Sequence, residues 1–198
     1  MTVHEAARSL VFNAVLLFCL SWSASYGAAA PKPLTHAQKI AALIDPAKLS
    51  TLAPRGANPR VQKYVAQLFE AQQSGLDPVK CAAEAVALAG MKGDAAQLTV
   101  EAMVRNLRIA EQLGCLTPGG LAEMRRGRSP TVARGPYAGD ELSVDHIIPF
   151  AVMPQLDHVI ANLELMPLRM NRSKGDKMLG RQRDLERRLR AAGLISQS

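Results

Sequence analysis

Apolar residues recur at helical spacing through the first two thirds of the chain. Val61, Val65, Leu68 and Phe69 fall on one face, and Leu98, Met103, Leu107 and Ala110 repeat, less regularly, along a later stretch. The punctuation between these stripes is helical as well. Thr35 with Gln38 reads as a capping box, and Asn58, Asp77 and Thr117 each stand directly before a proline, the order expected of an N-cap and a first helical residue. Gly75, Gly90 and Gly114 sit where these helices should stop. The segment carries no Gly-rich phosphate cradle, no heptad series and no internal repeat, so it is read as a helical scaffold.

The pattern changes after Met124. Residues 125–139 are rich in Arg, Gly and Pro and predict a basic, turn-containing loop. A strand is expected over Leu142 to Ile148, stopped by Pro149, and a second short one over Leu163 to Met166. A helix is expected to open after Pro167 and run to Lys177, and a last amphipathic helix spans Leu179 to Ala192 with Leu185 and Leu189 on its apolar face. The expected fold class is mainly α with a small α+β module. The expected division is a leader over 1–30, a helical scaffold over 31–126 and the module with its C-terminal helix over 127–198.

The leader reading rests on Arg8, the apolar run Leu10 to Trp22 and the small residues Ala24, Ser25 and Gly27 to Ala30, which together have the form of an export signal cleaved near Ala28 to Ala30. Asn13 and Ser21 interrupt a run already short of the roughly 20 apolar residues that span a bilayer, so an uncleaved anchor is the lesser reading. A secreted or periplasmic location follows. Cleavage removes Cys19 and leaves Cys81 and Cys115 in an oxidising compartment, where one disulfide between them is expected, contributing about 3 to 4 kcal/mol. A simple antiparallel helix pair on either side of Gly90 to Asp94 would set these cysteines at different heights, so the bridge demands crossing or bent helices.

With 198 residues, 48% of them hydrophobic, the chain can bury one core, or one core plus a small appended module. Its formal net charge of +7 favours anionic partners such as nucleic acid or acidic lipid, and equally describes a merely soluble basic surface. What separates these readings is an ordered set of residues near the C-terminus: Asp145-His146-Ile147-Ile148-Pro149, then Asn162-Leu163-Glu164-Leu165-Met166, then Asn171 and Lys174, laid over strand, strand and helix.

This set resembles the HNH endonucleases, over residues 142–177 only. The resemblance implies a ββα module pinching one divalent cation, with His146 as general base, Asp145 as a metal ligand, Asn162 bracing the hairpin loop and Asn171 as the second ligand. The last letter of the motif is Asn here rather than His, and no CxxC pair for a structural zinc is present, so the module must be held by packing on the scaffold. The chemistry of the residues agrees with these roles. An imidazole with an ordinary pKa near 6.5 is available at neutral pH to take a proton from water, provided one ring nitrogen is fixed. A carboxylate and an amide oxygen are hard ligands suited to Mg²⁺ or Mn²⁺. A zinc site from His146 and His158 lacks cysteines and ligand spacing, and His36 has no evident partner.

One geometric demand comes with this reading: strand neighbours point to opposite faces, so the chain must bend near Asp145 and His146 if both are to reach one phosphate. Asn171 and Lys174, three apart, share a helix face. Arg126, Arg128 and Arg134 precede the first strand, with Arg128 the candidate for the transition state and the other two, with Arg172 and Lys174, for nucleic-acid contact. Arg181, Arg183, Arg187, Arg188 and Arg190 are offset by Asp184 and Glu186 and suggest only non-specific backbone contact. The function expected is a metal-dependent endonuclease acting on DNA, with RNA as a further substrate and little sequence preference. Its rivals are an exported nucleic-acid-binding protein without turnover and a toxin neutralised by an acidic inhibitor protein.

Overall fold

The computed structural model describes residues 32–195; the expected export signal and its cleavage site fall outside them. Local capping chemistry sets four of the eight helix starts among the described residues. Thr35 accepts from the Gln38 N–H while the Gln38 side chain accepts from the Thr35 N–H, a complete capping box opening α1 (His36–Ile44). Asp45 caps a short α2 (Pro46–Leu49) that the hydrophobic pattern did not announce. Asp77 caps α4 (Pro78–Leu88) and Thr117 caps α6 (Pro118–Arg125), both with proline at the first position. Asn58 departs from expectation. It is the first residue of α3 (Asn58–Gln73), no side chain caps that helix, and the Asn58 Oδ1 is buried without a partner. The longest helix, α5 (Gly93–Gln112), follows the turn at Gly90, whose φ of 78° lets the Met91 N–H return to the Val86 carbonyl.

The remainder is a small antiparallel hairpin with helices after it. β1 (Leu142–His146) pairs with β2 (Leu163–Pro167) in the register Leu142 to Pro167, Val144 to Leu165, Asp145 to Glu164 and His146 to Leu163. α7 (Leu168–Lys174) and α8 (Gly180–Ala191) follow. β1 stops two residues earlier than expected. The Ile147 N–H bonds to the Asn162 carbonyl and the Ile148 N–H to the Asn162 side chain, which turns the chain out of the sheet after His146. The connection between strands contains two 3-10 turns, Pro154–Leu156 and Ile160–Asn162. The fold is therefore mainly α with a small two-stranded sheet, and among the described residues no helix is long and apolar enough to cross a membrane.

The expected scaffold and module pack on one core: from Leu34 onward the described residues form one compact unit, and Tyr64, Leu68, Met103 and Leu107 of the helices share that core with Val132, Leu142, Leu163 and Leu165. A second cluster joins Leu98 of α5 to Ile148, Leu156, Ala161, Leu189 and Ile195. The reason is the hairpin itself: two strands cannot bury both faces and both edges alone. The open edge of β2 is satisfied by buried Asn106 on α5, whose amide donates to the Leu163 carbonyl (3.0 Å) and accepts from the Leu165 N–H (2.9 Å). The same amide donates to the hydroxyl of Tyr64 on α3, so one side chain ties two helices to the sheet.

The Cys81–Cys115 disulfide is a second correction. Both residues are buried in the core as free thiols. Cys81 stands near the start of α4 and Cys115 just beyond the end of α5. At about 1.5 Å of rise per residue, the two lie at very different distances from the turn that joins the helices. Burial pushes the Cys115 thiol up to about 11, which keeps it protonated and inert.

Candidate active site

A cavity of about 400 Å³ opens where the end of β1 meets the start of its loop and the C-terminal half of α7. Asp145 and His146 come from β1, Pro149, Phe150 and Ala151 from the loop, and Asn171, Arg172 and Lys174 from α7. Arg55, from the turn between α2 and α3, completes the wall. Asp145 and His146 line the same cavity although they are strand neighbours. His146 is the last residue of β1, where the Asn162 contacts pull the chain aside, and this meets the bend that the sequence required.

His146 is 6% exposed, and its Nε2 lies 2.9 Å from Asp157 Oδ1 and 3.3 Å from the Asp157 carbonyl oxygen. A carbonyl can only accept, and so can an ionised carboxylate, so Nε2 carries the proton. In the neutral ring the lone pair is then on Nδ1. Phe150 packs against the imidazole with ring centres 5.9 Å apart. The arrangement is that of a base whose tautomer and orientation are fixed by a buried carboxylate. Asp157, 5% exposed, also accepts from the Arg55 main-chain N–H (2.7 Å), and His158 Nε2, which hydrogen-bonds the Ala53 carbonyl (3.1 Å), lies 2.9 Å from its Oδ2. His158 is therefore the second imidazole on this carboxylate rather than an isolated loop residue.

Lys174 and Asn171 face the cavity from α7. The Lys174 ammonium donates to Asp145 Oδ2 and to the carbonyls of His146 (2.6 Å) and Ile147 (3.2 Å), so three oxygens converge on one positive centre. The Asn171 amide donates from Nδ2 to Ser143 Oγ at 3.2 Å, and that hydroxyl donates to the Met166 carbonyl. This fixes the amide so that its Oδ1 has no partner among the described residues. No three His, Cys, Asp or Glu side chains group to hold a metal among the described residues. The cavity instead presents the carboxylates of Asp145 and Asp176, the free amide oxygen of Asn171 and main-chain carbonyls, a hard oxygen set that fits Mg²⁺ or Mn²⁺ and not a soft-ligand zinc centre.

Asn162 does not line the cavity. It is fully buried, and its amide closes two bonds to the Ile148 backbone, donating at 3.1 Å and accepting at 2.8 Å, so it shapes the loop that follows His146. The arginines ahead of β1 are not brought to the cavity either. Arg126 and Arg128 both pair with Glu123 of α6, and Arg134 packs beside Gly114 with its N–H on the Leu113 carbonyl. Their loop is anchored to the helices through such contacts. Of the tail arginines, Arg188 pairs with Glu101, Arg187 with Asp184 and Arg190 with Glu186. Arg181 grips Glu164 with two guanidinium nitrogens, which holds its own pKa above the ordinary value.

Two residues of this neighbourhood had no sequence signal of their own. Asp157 lies in a connection without periodicity, and Arg55 lies 90 residues before Asp145 in a segment that reads as scaffold. A larger cavity of about 530 Å³ lies beyond Phe150 and Asp157, walled mainly by apolar groups such as Leu49, Leu52, Met91 and Ile160. No protein-family model, curated protein or solved structure matches this chain.

Proposed function

We propose that this chain is an exported, divalent-cation-dependent endonuclease of the HNH type, hydrolysing phosphodiester bonds of DNA, and of RNA as a further substrate, with little sequence preference. The observation that carries the reading is the convergence of Asp145, His146, Asn171 and Lys174 from strand and helix on one cavity, with the acceptor nitrogen of His146 left open by Asp157. β1 supplies the first two of these residues and α7 the last two, in the order that the HNH resemblance implies. The form of residues 1–30 supports export, and the net charge of +7 supports a polyanionic substrate.

His146 Nδ1 accepts a proton from water as the water oxygen bonds to phosphorus and the bond to the 3′ oxygen breaks. The imidazolium so formed is stabilised by the Asp157 carboxylate, which keeps the ring in place through the step. Asp145 and Asn171 would hold the cation, which supplies Lewis-acid stabilisation of the phosphoryl oxygens and the leaving oxygen. Asn162 keeps the loop in register behind the base. Low specificity follows from the lack of any separate base-reading motif, and sequencing of the cut ends should give no strong consensus.

The test is nicking of supercoiled plasmid by the mature protein with Mg²⁺, with Mn²⁺ and with chelator. Activity is expected with either ion and none with chelator, and His146→Ala should lower it by about 10²- to 10⁴-fold while the protein stays folded. Equal nicking by His146→Ala and the wild type removes His146 as the base. A second reading, a nucleic-acid-binding protein without turnover, is favoured by one observation: Lys174 already neutralises the Asp145 carboxylate. Binding with no cleavage under either ion would decide for it.

A further inference from the structure

We propose that Arg55 is a phosphate-gripping residue of the cavity, donated by the helical region and held in one frame with the base by the Asp157 carboxylate. This deepens the endonuclease reading and rests on it for the identity of the ligand.

Three observations converge on Arg55. Its residue lines the same cavity as Asp145, His146, Asn171 and Lys174, although it comes from the turn between α2 and α3. Its guanidinium has no acceptor among the described residues, a state shared with Arg172 of the same cavity wall and with Arg108, Arg134 and Arg183 outside it, whereas the arginines at 105, 125, 126, 128, 169, 181, 187 and 188 are each paired with a carboxylate. A planar fork without an acceptor, on a residue that lines the cavity, is a site for an oxyanion. Third, Arg55 has a φ of 62°, and among the described residues it alone adopts a positive φ without being glycine. Such strain persists where the surroundings over-determine it and is common at functional sites. A glycine stands next door at 56, yet the left-handed position is filled by arginine.

The element that over-determines it is visible. The Arg55 N–H donates to Asp157 Oδ2 at 2.7 Å, while Asp157 Oδ1 accepts from His146. One carboxylate thus fixes the backbone that aims the guanidinium and the ring that takes the proton. A phosphate in the cavity would meet Arg55 from the helical region and Lys174 with Arg172 from α7. The substrate class this fits is a polynucleotide backbone.

Arg55→Gly is the informative variant, since glycine keeps the left-handed backbone and removes only the side chain. Arg55→Lys keeps a charge and loses the fork. Binding of a fluorescent duplex oligonucleotide is measured in chelator, across a series of salt concentrations, so that no cleavage intrudes. Loss of one phosphate contact should lower the slope of log K against log salt by about 0.9 in Arg55→Gly, and Arg55→Lys should restore it. With Mg²⁺ present, Arg55→Gly should also nick more slowly than the wild type. Equal slopes in wild type and Arg55→Gly overturn the proposal, whether or not the wild type nicks. A slope difference in a wild type that never nicks keeps the phosphate grip and removes the hydrolase reading, so the two fail separately.

Discussion

Asp145 and Glu164 stand directly opposite each other across the hairpin, and their surroundings differ in one respect. Glu164, its side chain 8% exposed, is held by two guanidinium groups from different helices: Arg181 of α8 binds it with both terminal nitrogens, and Arg105 of α5 lies 3.1 Å away. Burial lowers the pKa of Arg105, and Glu164 opposes that shift, so each charge is tolerable because of the other. Asp145 has a single ammonium, from Lys174, and opens on the cavity. A carboxylate enclosed by two arginines has few lone pairs to offer and serves as frame. One facing a cavity with a single flexible lysine can still take a ligand.

The comparison makes its largest prediction at Glu164. Glu164→Ala strips the partner from buried Arg105 and should cost about 3 to 5 kcal/mol of stability, read as a lower denaturation midpoint. Below that midpoint the nicking rate per folded molecule should change little. Asp145→Asn should do the reverse, lowering nicking by about 10³-fold through loss of a ligand charge with the midpoint nearly unchanged. If both substitutions lower stability alike, the distinction between frame and site is wrong.

A third carboxylate sharpens the contrast, because Asp157 is as buried as Glu164 yet bonds to the His146 ring. Asp157→Asn presents an amide that can donate to Nε2 and so select the ring with its proton on Nδ1. Nicking should fall by about 10²-fold with kcat affected more than KM, a split that a purely structural residue would not produce. The smallest effect is expected for Arg181→Ala. Its side chain is 58% exposed, so solvent screens the pair and the cost should be about 1 kcal/mol or less by denaturant melt. A loss as large as that for Glu164→Ala would place the anchor on Arg181 rather than on Arg105.

The contrast also shows what could be read beforehand. Caps at Thr35, Asp77 and Thr117, the prolines after them and the strand–strand–helix order were legible because each depends on neighbours a few residues apart. Asp145, His146, Asn171 and Lys174 were legible for a related reason: a short hairpin and one helix suffice to bring them together. Asp157 and Arg55 were not, since neither belongs to a periodic element and their partners lie 11 and 102 residues away. The opposite error occurred at Arg126, Arg128 and Arg134, which neighbour the first strand in sequence and still do not line the cavity.

The sequence by itself determined where the helices capped at Thr35, Asp77 and Thr117 begin, where the hairpin lies and which residues that hairpin could present, because hydrogen bonds across a few residues and a fixed side-chain period act before any packing. The tertiary structure alone decided that α5 would seal the open edge of β2 through Asn106, that Glu164 would be enclosed by arginines from two helices, and that Arg55 and Asp157 would meet behind His146. These outcomes depend on how apolar faces share a common core. That arrangement is fixed by contacts between residues far apart along the chain, which no local pattern records.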